Sequence, residues 1–311
     1  MLIRSTYPIN NEALRDLETL ASEYDILVST EVDYNESHTK NYLKDAVGKK
    51  CRFCNKGFPE VKFNSVAHAI PEFTGNKSLI ATFECDNCNQ YFSKFENEFA
   101  NFMLPYNALG GVKKKGNKFP KYKQDIIVYH PIENYIHIDN FPQELHPDTN
   151  GFDLILDTPS YIPNFIYRSL IKIGLTLIPE NTIGKYQDVL TWLMDMSSDT
   201  IFPASMFFSI FPFRNPSSKI RCVLFTRKES INREIPRTLL VLSYQNFSFQ
   251  TFFPVPFSEN KGKLIPFPVA IPTSLDLNLN LAQEVAHKLI DLSKIERIKG
   301  EKAQFNIKSL D

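Results

Sequence analysis

The 311-residue chain has no excess of either charge, with Lys and Arg together numbering 35 and Asp and Glu together numbering 35. That balance excludes a protein that is polycationic as a whole, so any affinity for a polyanion has to come from a local patch. No stretch reaches about eighteen uninterrupted apolar residues, and the opening MLIRSTYPINNEALRDLETL lacks the apolar core of a signal peptide. The expectation is a soluble, cytoplasmic protein with no membrane partner. There is no repeat period, no low-complexity tract, no G-x-x-x-x-G-K-[ST] phosphate loop and no G-x-S-x-G elbow. Cysteine is scarce, at five residues, which leaves little material for a disulfide scaffold.

What is present is ordinary for a globular protein: 43% hydrophobic residues, with 26 Phe and 13 Tyr to fill a core. The length favours two modest domains. Leu14, Leu17, Leu20 and Ala21 recur at helical spacing behind Asn10 and Asn11, which predicts a helix from Asn10 to about Tyr24 and a helical lead-in over residues 1–50. A further short helix is expected near Tyr42 to Val47, and His38 is read as solvated. Beyond residue 120, strands are expected at Asp125–Tyr129, Tyr135–Ile138, Gly151–Leu156, Ile220–Thr226, Thr238–Ser243 and Phe247–Phe253. Helices are expected from Pro163 to Leu177, from Tyr186 to Met196 and from Leu281 to Leu292. Residues 121–311 therefore read as a separate α+β domain with a regulatory, targeting or dimerisation role.

Four of the five cysteines form two C-x-x-C pairs, Cys51/Cys54 and Cys85/Cys88. Four thiolates supply the closed tetrahedral shell that structural zinc prefers, and the segment between the pairs is too short for a core of its own. A redox role for these pairs would need a thioredoxin-like βαβ pattern, which the sequence does not show. Cys222 lies in an apolar run and reads as a buried strand thiol. After the second pair comes a basic loop with Lys113, Lys114, Lys115, Lys118, Lys121 and Lys123, interleaved with glycines and aromatics, of the kind that tracks phosphates. Residues 51–120 are read as one unit, a zinc module with this loop appended. His130, His137, His146 and His287 show no spacing that marks a ligand set.

Between the cysteine pairs lies FNSVAHAIPEFTGNK, residues 63–77, and the second pair continues as CDNCNQYFSKFE, residues 85–96. With Cys51/Cys54, His68, Ile70-Pro71, Gly75, Cys85/Cys88 and Asn89, this resembles the HNH endonuclease family, and especially a bacterial subgroup with Asn in place of the final His. The resemblance covers about residues 51–100. It implies a zinc-stapled ββα-metal module followed by a larger α+β domain. It also implies His68 as general base, Asn89 as a ligand of a catalytic Mg²⁺ or Mn²⁺, and Glu96 or Glu72 as the accompanying carboxylate. Two departures stand out. The residue before the histidine, acidic in the family, is Ala67, and the family's central Asn is missing between Leu79 and Phe83, with Asn76 the nearest substitute.

The chemistry suits phosphodiester hydrolysis. A neutral imidazole on a rigid strand accepts a proton from attacking water, and hard oxygen donors such as Asn89 and Glu96 suit Mg²⁺ or Mn²⁺. Glu96 lies seven positions after Asn89, two turns along the same helical face. The resulting expectation is a metal-dependent endonuclease acting on DNA, with RNA as a further possible substrate. A restriction or anti-phage role is implied, with a homodimer or a defence-system protein as partner. The alternative is a zinc-stapled nucleic-acid-binding or protein-interaction module without catalysis, which Ala67 favours.

Overall fold

The structure is a computed structural model that describes residues 3–5, 18, 20–45, 50–113, 127–130, 135–138, 151–196, 204–211, 216–231, 235–254 and 285–308. In chain order, β1 (Ile3–Ser5), β2 (Tyr24–Asp33), β3 (Asn41–Leu43) and β4 (Leu79–Ala81) precede a long helix, α1 (Asp86–Leu109). Next come β5 (Ile127–His130), β6 (Tyr135–Ile138), β7 (Gly151–Asp157), α2 (Pro163–Leu177) and α3 (Gln187–Met194). The chain continues through β8 (Ser205–Ile210), β9 (Ser217–Arg227), β10 (Thr238–Gln245), β11 (Phe247–Phe252), β12 (Val285–Asp291) and β13 (Lys302–Lys308).

Seven of these strands form one sheet, in the order β1-β12-β8-β11-β10-β9-β2, and every neighbour pairs antiparallel. The sequence accounts for the layering. At the centre, β10 (TLLVLSYQ) and β11 (FSFQTF) are buried at every position, as strands covered on both faces must be. Toward the edge, β9 alternates buried Ile220, Cys222 and Leu224 with partly exposed neighbours. Cys222 is thus the buried strand thiol expected of it, and burial pushes its pKa up to about 12.

Helix α2 begins with Pro163, whose fixed φ and missing N–H suit a first turn, and almost all of its residues are buried. It packs directly on the sheet at Gly174, where a side chain would collide with Phe253 and Leu240. Helix α1 packs on the same core through aromatic edges, Phe99 against Phe249 at 5.2 Å and Tyr106 against Phe208 at 5.1 Å. One continuous core joins Val32, Cys51, Cys88, Phe99, Ile171, Leu240 and Phe305.

Several expectations are corrected. Of the helix expected from Asn10 to Tyr24, residues 10–17 lie outside the described residues, residues 20–23 are helical, and at Tyr24 the chain becomes β2. The lead-in is therefore an edge of the large sheet, because β2 pairs with β9 along most of its length. Of the helix expected at Tyr42–Val47, Tyr42 and Leu43 belong instead to β3, which pairs in parallel with β4, and residues 46–47 lie outside the described residues. Within the helix expected at Leu281–Leu292, residues 285–291 form β12, held between β1 and β8. In each case a short, weakly patterned segment takes its state from a neighbouring strand rather than from its own propensity. The boundary near residue 120 does not separate two cores, since β2 and α1 share theirs with α2 and β8–β11.

Arg52, inside the first cysteine pair, shows how tightly the segments interlock. Its guanidinium donates to the carbonyls of Leu175, Thr176 and Ile178 at 2.8–2.9 Å, closing the C-terminal end of α2. It also pairs with Asp45 and lies 3.8 Å over the Phe83 ring. Arg52→Ala is expected to destabilise the whole chain by about 3–5 kcal/mol, since it orphans three carbonyls and leaves Asp45 unpaired. Denaturant unfolding measures this, and a loss under about 1 kcal/mol would contradict the role.

Candidate active site and metal centre

The two cysteine pairs meet. The Sγ atoms of Cys51, Cys54, Cys85 and Cys88 all lie within 4.8 Å of one another, and Cys54 Sγ is 3.8 Å from Cys85 Sγ. A tetrahedron with zinc–sulfur bonds of about 2.3 Å has edges of about 3.8 Å, so the cage fits that ion. The first knuckle closes through Cys51 N–H to Lys56 O and Asn55 N–H to Cys51 O, both 2.8 Å, with Asn55 at φ 56°, a conformation that Asn tolerates. A hydrogen bond with Cys88, backed by nearby backbone N–H groups, holds the Cys51 thiol down to about 5. Burial pushes Cys85 up to about 11.

From the knuckles the chain builds a minimal hairpin. Residues 67–69 run antiparallel to β4, with Ala69 N–H donating to Leu79 O at 3.1 Å and Ala81 N–H to Ala67 O at 2.8 Å, and His68 faces Ile80. The turn is held by Asn76, fully buried. Its amide donates to Ile70 O at 2.7 Å and Leu79 O at 3.1 Å, and its oxygen accepts the N–H of Ser78 at 3.2 Å and of Leu79 at 3.0 Å. Every capacity of the side chain is spent on shaping the hairpin that carries His68. Gly75 is required beside it, because φ is +98° and a side chain would run into the Tyr34 ring. Glu72 opens the short 3₁₀ turn that precedes Gly75.

Helix α1 starts at Asp86, inside the second knuckle, so Asn89 sits at the end of its first turn, half-buried. Asp86 Oδ1 accepts the N–H groups of Asn64 and Ser65 at 2.8 Å, tying the loop between the knuckles to the helix start. Farther along α1, Glu96 is paired with Lys172 of α2, Nζ to Oε1 3.3 Å. The same Nζ donates to His68 O at 3.1 Å and lies 3.2 Å from Oε2 of the buried Glu84. Burial raises the Glu84 carboxyl to about 7 against the opposing pull of Lys172. His68 and Glu96 are therefore brought to one ammonium group. Among the described residues the four cysteines are the one group of three or more His, Cys, Asp or Glu side chains placed to share an ion, so His68, Glu72 and Glu96 do not form such a trio.

Of the basic loop, Lys113 lies within the described residues, and Lys114, Lys115, Lys118, Lys121 and Lys123 lie outside them. Lys113 N–H donates to Tyr34 Oη at 2.7 Å, and the Tyr34 ring packs over Gly75. Lys40 Nζ donates to Lys77 O at 2.5 Å. Burial lowers the Lys77 pKa, and the charges of Lys113 and Lys40 lower it further against Glu72. Three lysines from three distant segments thus gather at the hairpin turn. The sequence reading missed Lys40, Lys77, Glu84 and Lys172. For Lys172 a signal existed, a charge set between Ile171 and Ile173 in a helix whose one other charged residue is Arg168.

Residues 51–104 match the family model described as HNH endonuclease. The match runs from the first cysteine into the last turns of α1, taking in the cage, the His68 hairpin and the helix start, so this segment is similar to HNH endonucleases over the whole of the site. No curated protein and no solved structure matches the chain. Among the described residues no helix is long and apolar enough to cross a membrane.

Two outcomes follow from this geometry. Asn76→Ala should cost about 3 kcal/mol in unfolding free energy by removing four hydrogen bonds to backbone groups of the turn, of which Leu79 O alone keeps the Ala69 N–H as a second partner, and a near-neutral effect would remove Asn76 from its structural role. Purified protein should carry one zinc per chain by elemental analysis, and Cys85→Ser should lose both zinc and stability. Metal well below one equivalent would contradict the cage.

Proposed function

We propose that this protein is a metal-dependent endonuclease that hydrolyses DNA phosphodiester bonds, with His68 as general base. The observation that carries this reading is that one ammonium ties the backbone carbonyl of His68, on its hairpin, to the carboxylate of Glu96 on the helix that follows, beside a cage of four cysteines within the same segment. A neutral imidazole on a pinned strand can accept the proton of an attacking water without losing its aim. Asn89 and Glu96 are hard oxygen donors on one face of α1, and Glu72 offers a second carboxylate near the turn. These residues would hold Mg²⁺ or Mn²⁺, which would offset charge on the scissile phosphate and the departing oxygen. Zinc in the cage would remain structural.

The lysine group supplies the counterpart for the substrate. Lys40, Lys77 and Lys113, with the lysines that follow in the sequence, offer ammonium groups to phosphates irrespective of base sequence. The chain's neutral total is no obstacle, because the cations are local. A restriction or anti-phage role accords with a nuclease domain built into a larger α+β body, and this part of the reading rests on resemblance alone. Ala67, buried where the family has an acidic residue, favours the second reading, a zinc-stapled nucleic-acid-binding module without catalysis.

Plasmid nicking separates the two. Cleavage should require added Mg²⁺ or Mn²⁺ and fall by about 10²–10⁴-fold in His68→Ala with zinc retained. Asn89→Ala should lose most cleavage while staying folded, and Glu96→Gln and Glu72→Gln should identify the working carboxylate. Binding without any cleavage would establish the non-catalytic reading. Neutralising Lys40, Lys77 and Lys113 to Gln should weaken DNA binding and flatten the dependence of log K on log salt by roughly 1 per lysine in contact. An unchanged slope would exclude this patch from the interface.

A further inference from the structure

We propose that Lys172, which lies outside the HNH segment, is a positioning residue of the nuclease site and makes cleavage depend on the docking of α2. The proposal rests on the nuclease reading above and extends it to a residue that no motif identifies.

The argument begins with strand geometry. His68 faces Ile80 as a non-hydrogen-bonded pair, because the ladder bonds between the two strands run through Ala67 and Ala69 on either side of it. The carbonyl of His68 therefore points away from β4, off the outer edge of the hairpin. Lys172 Nζ fills that position, donating to His68 O at 3.1 Å. The other donors of the ammonium are directed at Glu96 Oε1, 3.3 Å away, and toward Glu84 Oε2, 3.2 Å away. One group thus fixes the strand that carries the general base relative to the helix face that carries Asn89 and Glu96.

Packing alone does not account for a lysine here. The side chain is 1% exposed and lies between Ile171 and Ile173, positions that are purely apolar. An apolar residue of similar length would fill the space without the desolvation cost of a buried ion. The Glu84 carboxylate is 2% exposed and has no aligned hydrogen bond, so its charge is offset by proximity to Lys172 rather than by a satisfied network. A group retained at that cost fits a role in geometry. The orientation of the His68 ring follows from the peptide plane that Lys172 holds, so freeing the carbonyl should disturb the angle of proton transfer and leave DNA binding intact.

Full-length Lys172→Met and the double variant Lys172→Met with Glu84→Gln test the proposal. The double variant removes one positive and one negative charge together, so Glu96 is not left facing a second buried carboxylate if the single variant fails to fold. Zinc content and thermal midpoint establish that the protein is intact. The folded, zinc-loaded double variant should lose kcat for plasmid nicking by tenfold or more relative to Glu84→Gln alone, with KM for DNA and the salt dependence of binding unchanged. A kcat within twofold of Glu84→Gln, or a loss that merely tracks the fraction of unfolded protein, overturns it. A parent chain that cuts beside an equally active double variant overturns this proposal and leaves the nuclease reading standing, whereas a parent that does not cut overturns both.

Discussion

Helix α1 is held at three heights by three different forces, and the placement of every other feature follows from it. At its start the second cysteine pair locks it into the cage with Cys51 and Cys54. Midway, Glu96 meets the buried ammonium of Lys172, and near its end Phe99 and Tyr106 pack edge-on against Phe249 and Phe208 of the sheet. A helix fixed in this way carries the metal cage, the candidate ligands and the core of the sheet as one rigid body. The His68 hairpin, joined to α1 through β4 and the second knuckle, inherits its position from that body.

The division of labour among the buried cations follows the same logic. Arg52 closes the C-terminal end of α2 from within the first knuckle, and Lys172 reaches back from α2 to the His68 strand. Each costs desolvation and each is surrounded by acceptors, so together they specify how α2 sits against the HNH-like segment more sharply than apolar contact could. The lysines at the hairpin turn act differently. Lys40, Lys77 and Lys113 are gathered by backbone contacts around Tyr34 and Gly75, and their mutual repulsion is relieved by any polyanion that lies across them.

Much of the site was legible in the sequence because it is local. Two C-x-x-C pairs, a histidine between them and a helix after them need only short-range geometry, and the structure assembles the four thiols as one cage. Helix α2 was legible from Pro163 and an unbroken apolar pattern, and the central strands from runs such as Leu239–Leu242. The rest was hidden in long-range pairing. Strand β12 is set by β8 and β1, β2 joins the sheet through β9, and Lys172 finds His68 across more than a hundred residues. The helical propensity of VAHKLID could not reveal its strand neighbours. The role of Asn76 was hidden for a related reason. The sequence offered it only as the nearest substitute for the family's central Asn, and its four hydrogen bonds, all to backbone groups of the hairpin, become visible only in the fold.

Against the expectation of two separable domains stands one observation: the core runs without interruption from the cysteine cage through α1 and α2 into the sheet. Calorimetry of the full chain with and without a zinc chelator tests this most directly. One cooperative transition that moves as a whole to lower temperature when zinc is removed is the predicted result. Two transitions, with a zinc-independent one belonging to the sheet, would contradict it and return the chain to a nuclease module tethered to an independent domain.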